Sequence, residues 1–377
     1  MKLDRSPFER GMVVPRSSDL DEVTRGLAQH KSLIDSKLEP DPTFVGLDMN
    51  VSYDPDGCWA TIISSSPVII YTRMDHGLPI GLAGLLPADI SCKITFLIGL
   101  AWSIENRAAA EWLRLAAVAH RAQFPNNTLV FITNTAAEAD LLAECGELAV
   151  CSCRTSTIDL DLFRPLECVS VDYDAIYNAR LLPLKRHDLT LQIDKCAFIY
   201  YRAIETEAME NAIIDRHKAL APNHRFLNTR MDGRPIPMDA DEINIALNQA
   251  GAGLCLSAEE GAMFASIEYL LAGLPIVSTP SVGGRDSYYN EDYCVIAEPK
   301  PEKIAEAVSA IKERQISREY IRNKTLDIIN VHRIKFLEVI DYLKSGGIAA
   351  ETQWNFPSKI GTYLPWEEHW RQIRSLR

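Results

Sequence analysis

The sequence predicts an α/β protein built from two doubly wound parallel sheets, and two observations carry that expectation. From about residue 60 onward, short apolar runs of strand character alternate with amphipathic segments of helical period. That is the pattern of parallel strands joined by crossover helices. The alternation comes in two blocks with a seam near residues 165–172, and a chain of 377 residues is long for a single core. The expected division is a first domain over 1–168, a second over 169–348 and a tail over 349–377.

The elements follow in order. "PVIIYTR" (67–73) and "ITFLIG" (94–99) read as buried strands. The 3.6-residue spacing of "ENRAAAEWLRLAAVAHRAQF" predicts a long helix, "TLVFIT" (128–133) a strand, "AAEADLLAEC" a helix and "LAVCSC" a strand. In the second block, "DAIYNARL" reads as a strand leading to a helix from about Pro183. The strands "CAFIYY", "RFLNT", "GLCLS", "PIVSTP" and "CVIAEP" follow, with helices "TEAMENAIIDRHKAL", "DADEINIALNQAG", "SIEYLLAG" and "EKIAEAVSAIKER" between or after them. The tail carries Trp354, Trp366 and Trp370, and its last part reads as an amphipathic helix that docks.

Composition narrows the function classes. Hydrophobic residues make 47% of the chain and charged residues 24%, an ordinary globular balance. The net charge of −12 speaks against general nucleic-acid binding, which wants a basic face. An anionic ligand therefore requires a local basic cluster. No apolar run reaches the eighteen residues of a membrane span, and "MKLDRSPFERGMVV" lacks the apolar core of a signal peptide. Nine cysteines without metal-ligand spacing read as reduced thiols of a cytoplasmic protein. No G-x-G-x-x-G follows a strand and no Walker loop is present. The D-x-D stretches at 159–161 and 239–241 do not read as metal clamps; the second is expected to cap the helix after it.

Two clusters could carry chemistry. In "SAEEGAMFASIEYLLAG", Glu260 lies on a loop beyond a strand, and Glu268 lies about one turn inside the following helix. Gly261 allows a tight turn, and the helix start after Gly261, Ala262 and Met263 offers unpaired N–H groups to an anion. The loop acid would meet a ligand's reactive end and the helical acid a hydroxylated tail. The alternative is a pair of solvated helix-end acids. In "YNARLLPLKRHDL", Arg180 closes a strand, while Lys185, Arg186 and His187 open the next element. Cations oppose the dipole at a helix start, and a bound phosphate would offset that cost. A solvated basic turn is the alternative there.

With these residues in hand, the stretch from Glu260 resembles the E-x7-E element of retaining GT-B glycosyltransferases, family 4 above all. Arg180 and Lys185 keep the five-residue spacing of that group's "GR…K" pair, "STIDLDLFRP" (156–165) resembles part of its interdomain link, and "AGLPIVSTPSVGG" resembles the segment after the second Glu. The resemblance covers about residues 128–310. It implies a GT-B-like fold: two Rossmann-like domains facing across a cleft, with a C-terminal helix crossing back to the first. It implies that Glu260 contacts a donor sugar, that Glu268 contacts the nucleotide ribose, and that Arg180 and Lys185 hold the diphosphate. The loop at Gly261, Ala262 and Met263, with Arg186, is placed on the donor as well. The donor would be a nucleotide-diphosphate sugar and the acceptor a glycan or glycolipid, with retention of configuration, no metal, no cofactor and at most peripheral membrane proximity. Departures stand beside it: Thr155–Ser156–Thr157 replaces "NG", "EGAMFAS" replaces "EGFG", and Arg285–Asp286–Ser287 follows "GG". The group's first-domain His has no clear counterpart. Trp102 and Ser103 occupy one strand end, and His76 is the substitute candidate, against the reading of an ordinary loop histidine. A sugar-nucleotide epimerase or hydrolase, or a catalytically silent sugar-nucleotide-binding subunit, remains open on the same residues.

Overall fold

The computed structural model describes residues 58–74, 78–201, 207–230, 234–345, 362–364 and 366–375. His76 lies outside them. The second compact unit is Asp159–Asn330; the described residues up to Ile158 and from Val331 make the first.

In the first unit, β1 (Cys58–Ser65) pairs antiparallel with β2 (Val68–Arg73), with a bulge between Ile62 and Ser64. Strands β3 (Ile94–Gly99), β4 (Thr128–Thr133) and β5 (Ala149–Cys151) then add in parallel and in sequence order. The crossovers carry α1 (Arg107–Gln123) and α2 (Ala136–Glu144). Side-chain alternation along the strands sorts the core. Ile70, Phe96, Ile98 and Phe131 face one side with Ala109, Ala110, Leu113 and Ala117 of α1. Ile69, Leu97, Val130 and Ile132 face the other. Glu138, fully buried, accepts from the backbone N–H groups of Ile104, Asn134 and Thr135 at 2.8–3.2 Å, closing the loops after β3 and β4.

The second unit holds β6 (Ala175–Asn178), β7 (Cys196–Ile199), β8 (Arg225–Phe226), β9 (Gly253–Cys255), β10 (Ile276–Ser278) and β11 (Cys294–Ile296). All are parallel, in the spatial order β11-β10-β9-β6-β7-β8. This is the order of a Rossmann sheet, in which growth reverses between the first and fourth strands. Helices α3 (Glu207–Leu220), α4 (Ala240–Asn248) and α5 (Phe264–Leu271) fill three of the connections, and α6 (Pro301–Glu313) follows β11. Asp239 caps α4 in a capping box with Glu242, as the sequence suggested for the 239–241 stretch. The other acidic stretch is also local: Asp159 accepts from the N–H of Asp161 at 3.0 Å.

The helix expected from Pro183 is absent. Two short 3-10 turns, Pro183–Lys185 and His187–Thr190, stand in its place, separated by Arg186 in a left-handed conformation with φ of 51°. A left-handed residue cannot continue a helix. Lys185, Arg186 and His187 therefore do not share a helix N-terminus.

Helix α7 (Arg318–Lys344) carries the chain back to the first unit. There Phe336, Val339 and Ile340 cover the second face of the β2–β5 sheet, and the Phe336 ring meets Tyr71 edge-on at 5.7 Å. A last strand, β12 (Thr362–Leu364), pairs antiparallel with β1. Helix α8 (Trp366–Arg374) ends the described chain; Trp370 and Ile373 enter the first-face core, and His369 Nε2 donates to the Cys58 carbonyl at 3.1 Å. Neither β1 nor β12 stands out in the sequence.

Gly253 sits where β9 meets β6, opposite Ile176, and the Tyr269 ring lies so close that a Cβ would collide with it. The Tyr269 hydroxyl accepts from the Asn178 N–H at 2.6 Å. Gly253→Ala is expected to destabilise the protein by about 1–3 kcal/mol, the usual cost of overpacking, measured by urea denaturation.

Candidate functional site

A ligand in an open parallel sheet binds beyond the carboxyl ends of the strands, where growth reverses. In the second sheet that place lies between Asn178, the last residue of β6, and Cys255, the last of β9. The loop after β6 carries Arg180, Lys185 and Arg186, and the loop after β9 carries Ser257, Glu260, Gly261, Ala262 and Met263. The topology thus brings together the two clusters that the sequence singled out.

Lys185 Nζ forms an ion pair with Glu260 Oε1, and both side chains are largely buried, 14% and 11% exposed. Ser257 Oγ donates to the same Glu260 oxygen at 2.7 Å. Glu260 is also fixed by its backbone, whose N–H donates to the Val282 carbonyl at 3.1 Å. The Tyr177 hydroxyl donates to the Lys185 carbonyl at 2.8 Å, holding the turn that presents the lysine. Arg180 is half-buried, with its guanidinium 5.5 Å from the ring centroid of the exposed Tyr201. Its buried Nε finds no acceptor among the described residues.

Glu268 lies in the second turn of α5 and accepts from Asn178 Nδ2 at 3.2 Å. Loss of hydration around its carboxyl raises the pKa to about 7, against which the Asn178 bond works. Near neutral pH this carboxyl can donate or accept. Met263 is the N-cap of α5, and its side chain caps none of the first-turn N–H groups.

Two basic residues do something other than line a surface. Arg186 turns inward, its Nε donating to the Leu256 carbonyl at 2.5 Å and its Nη2 to Thr279 Oγ1 at 2.6 Å. His187 is 3% exposed and packs on the Tyr177 ring at 4.8 Å between centroids. Burial, then His217 and Lys185, push its pKa down to about 3, so it is neutral and no part of a cationic patch. Of the residues the sequence proposed, Lys185, Glu260 and Glu268 are thus tied to groups at this edge, Arg180 stands beside Tyr201, and Arg186 ties loops together. Asn178 and Ser257 were not proposed, and Arg285 was noted only as a departure after "GG"; the one local signal was that Asn178 ends an apolar strand with a polar residue. Among the described residues no group of His, Cys, Asp and Glu could hold a metal ion.

The raised pKa of Glu268 has a consequence for stability. The neutral carboxyl favours the folded state fully below the unfolded value near 4.5, and that advantage is lost as pH rises through about 7. Glu268→Gln keeps the shape and removes the charge. Thermal unfolding should show the variant more stable than the parent at pH 8, by about 1–2 kcal/mol after discounting for part exposure, and equal to it at pH 4.

No family model and no curated protein matches the chain. Solved structures do resemble it. The sucrose-phosphate synthase of Thermosynechococcus elongatus is 12% identical and has a TM-score of 0.50, covering 68% of this chain and 74% of its own. The N-terminal domain of Candida albicans trehalose-6-phosphate phosphatase is 13% identical and has a TM-score of 0.51, covering 74% and 70%. Anabaena HepE in complex with UDP and glucose is 13% identical over 65% of this chain and 77% of its own, with a TM-score of 0.46. At these identities the likeness speaks to architecture, and the chain has the GT-B-like α/β fold of two Rossmann-like units.

Proposed function

We propose that the protein is a glycosyltransferase that moves a sugar from a nucleotide-diphosphate donor to a glycan or glycolipid acceptor, with retention of configuration and without a metal ion. The observation that carries this reading is the Lys185–Glu260 pair at the reversal point of the second sheet, with Arg180 on the same loop as the lysine. Breaking a sugar–phosphate bond leaves negative charge on a diphosphate, and cations fixed before the reaction stabilise that charge best. Lys185 is held by Tyr177 through its carbonyl, and the buried Nε of Arg180 has no acceptor among the described residues. Both can turn toward an anion without unfolding the loop. A diphosphate would draw Lys185 from Glu260, leaving the carboxylate to face the sugar while Ser257 still orients it. Glu268, paired with Asn178, suits a ribose diol because its carboxyl serves as donor or acceptor near neutral pH.

None of the nine cysteines is in a disulfide, which agrees with the cytoplasmic setting proposed. Among the described residues no helix is long and apolar enough to cross a membrane. His76, proposed from the sequence for the acceptor side, lies outside the described residues.

Calorimetry with UDP, GDP and ADP tests the donor site. Arg180→Ala and Lys185→Ala should each weaken binding of the preferred nucleotide by about 1.5–3 kcal/mol, the scale of a lost charge-assisted hydrogen bond; unchanged affinity in both refutes the reading. In steady-state kinetics, Glu260→Gln should lower kcat and Glu268→Gln should chiefly raise the donor KM. Nuclear magnetic resonance of the fresh product should show the donor's anomeric configuration, and turnover should survive EDTA.

A further inference from the structure

Arg285 stands in the 3-10 turn Gly284–Asp286 and is 0% exposed. Its Nη1 donates to the carbonyls of Cys255 at 3.0 Å and Ser257 at 2.5 Å, its Nη2 to the Thr279 carbonyl, and its Nε to Asp286 Oδ1 at 2.7 Å. The carbonyl between those of Cys255 and Ser257 is Leu256, and it accepts from Arg186 Nε at 2.5 Å and from the Thr279 hydroxyl at 3.1 Å. Three successive carbonyls, from the last residue of β9 onward, are therefore each held by a guanidinium. Arg285 reaches them from the loop after β10, and Arg186 from the loop after β6. Thr279 joins the two cations, its carbonyl taking Arg285 and its hydroxyl Arg186.

The chain accepts a backbone penalty for this. Arg186 is left-handed at φ 51°, a conformation that favours glycine. A glycine there would relax the backbone and leave Leu256 and Thr279 without the guanidinium. The residue held next is Ser257, whose hydroxyl orients Glu260, and the loop closes through Val282 N–H to the Ala258 carbonyl at 3.0 Å.

We propose that Arg285 and Arg186 form a two-guanidinium clamp that positions the Glu260 loop against the Lys185 loop, and that neither contacts the donor. Both are positioning residues. The kinetic part rests on the glycosyltransferase reading; the structural part does not. Hydrogen exchange on the full-length protein tests the latter, with kinetics and nucleotide calorimetry beside it. Arg285→Lys keeps the charge but not the planar fork that spans diverging carbonyls, so it should fail much as Arg285→Gln does. In Arg285→Lys, Arg285→Gln and Arg186→Gly, amides of residues 256–263 and 280–284 should exchange at least about tenfold faster, while those of β7 and α6 stay unchanged. Turnover should fall at least about tenfold, and the nucleotide Kd should move less than about threefold. Should Arg285→Gln not fold, Arg285→Lys and Arg186→Gly decide. Parental exchange in those two variants overturns the clamp. So does a loss of nucleotide affinity with exchange unchanged, which makes these arginines ligand contacts. A parent protein that binds none of UDP, GDP and ADP refutes the functional reading instead, and the exchange result still decides the clamp.

Discussion

Between β6 and β9 the second sheet changes its direction of growth, and the connections that leave these two strands diverge toward β7 and β10. Diverging connections open a crevice above adjacent strand ends. Whatever borders that crevice comes from distant parts of the chain, so its geometry depends on bonds made across the gap. Asn178 supplies two: its N–H meets the Tyr269 hydroxyl and its side chain meets Glu268. Lys185 supplies another through Glu260. Gly253 lets the Tyr269 side chain lie close against β9, and its hydroxyl meets β6.

The electrostatics of this edge follow from the same crowding. A carboxyl on α5 loses water without gaining a cation and rises to about 7, whereas a carboxylate on the loop gains a lysine and a serine. Two acids eight residues apart thereby acquire different chemistry from their surroundings alone. His187, adjacent in sequence to two cations, is neutral because it packs among aromatic rings.

Much of this was legible in the sequence where a signal is local. "ITFLIG" and "TLVFIT" match β3 and β4 to the residue because fully buried parallel strands are continuous apolar runs. The cap at Asp239 and the start of α5 at Phe264 are likewise written in short motifs. β1 was not legible: its run "CWATIISS" is mostly half-buried and its pattern is blurred by a bulge. The turn at Arg186 was misread as helix because nothing in "PLKRHDL" marks a left-handed residue; the reason for it lies seventy positions away, at the Leu256 carbonyl. The role of Arg285 escaped for the same reason, since its four acceptors belong to three separate stretches of chain.

Helix α7 begins in one unit and ends in the other, so the first unit is discontinuous in sequence. This sets an order of assembly. When the ribosome has delivered residue 330, every strand of the second sheet already exists. The first sheet, although synthesised earlier, still lacks Phe336, Val339 and Ile340 on one face, Trp370 and Ile373 on the other, and the strand that pairs with β1. Apolar surface on β2–β5 stays wet until residues 336–373 emerge. The usual rule that the amino-terminal unit of a nascent chain matures first is inverted here. The sheet of residues 58–151 must wait, half-bare, for residues 336–373.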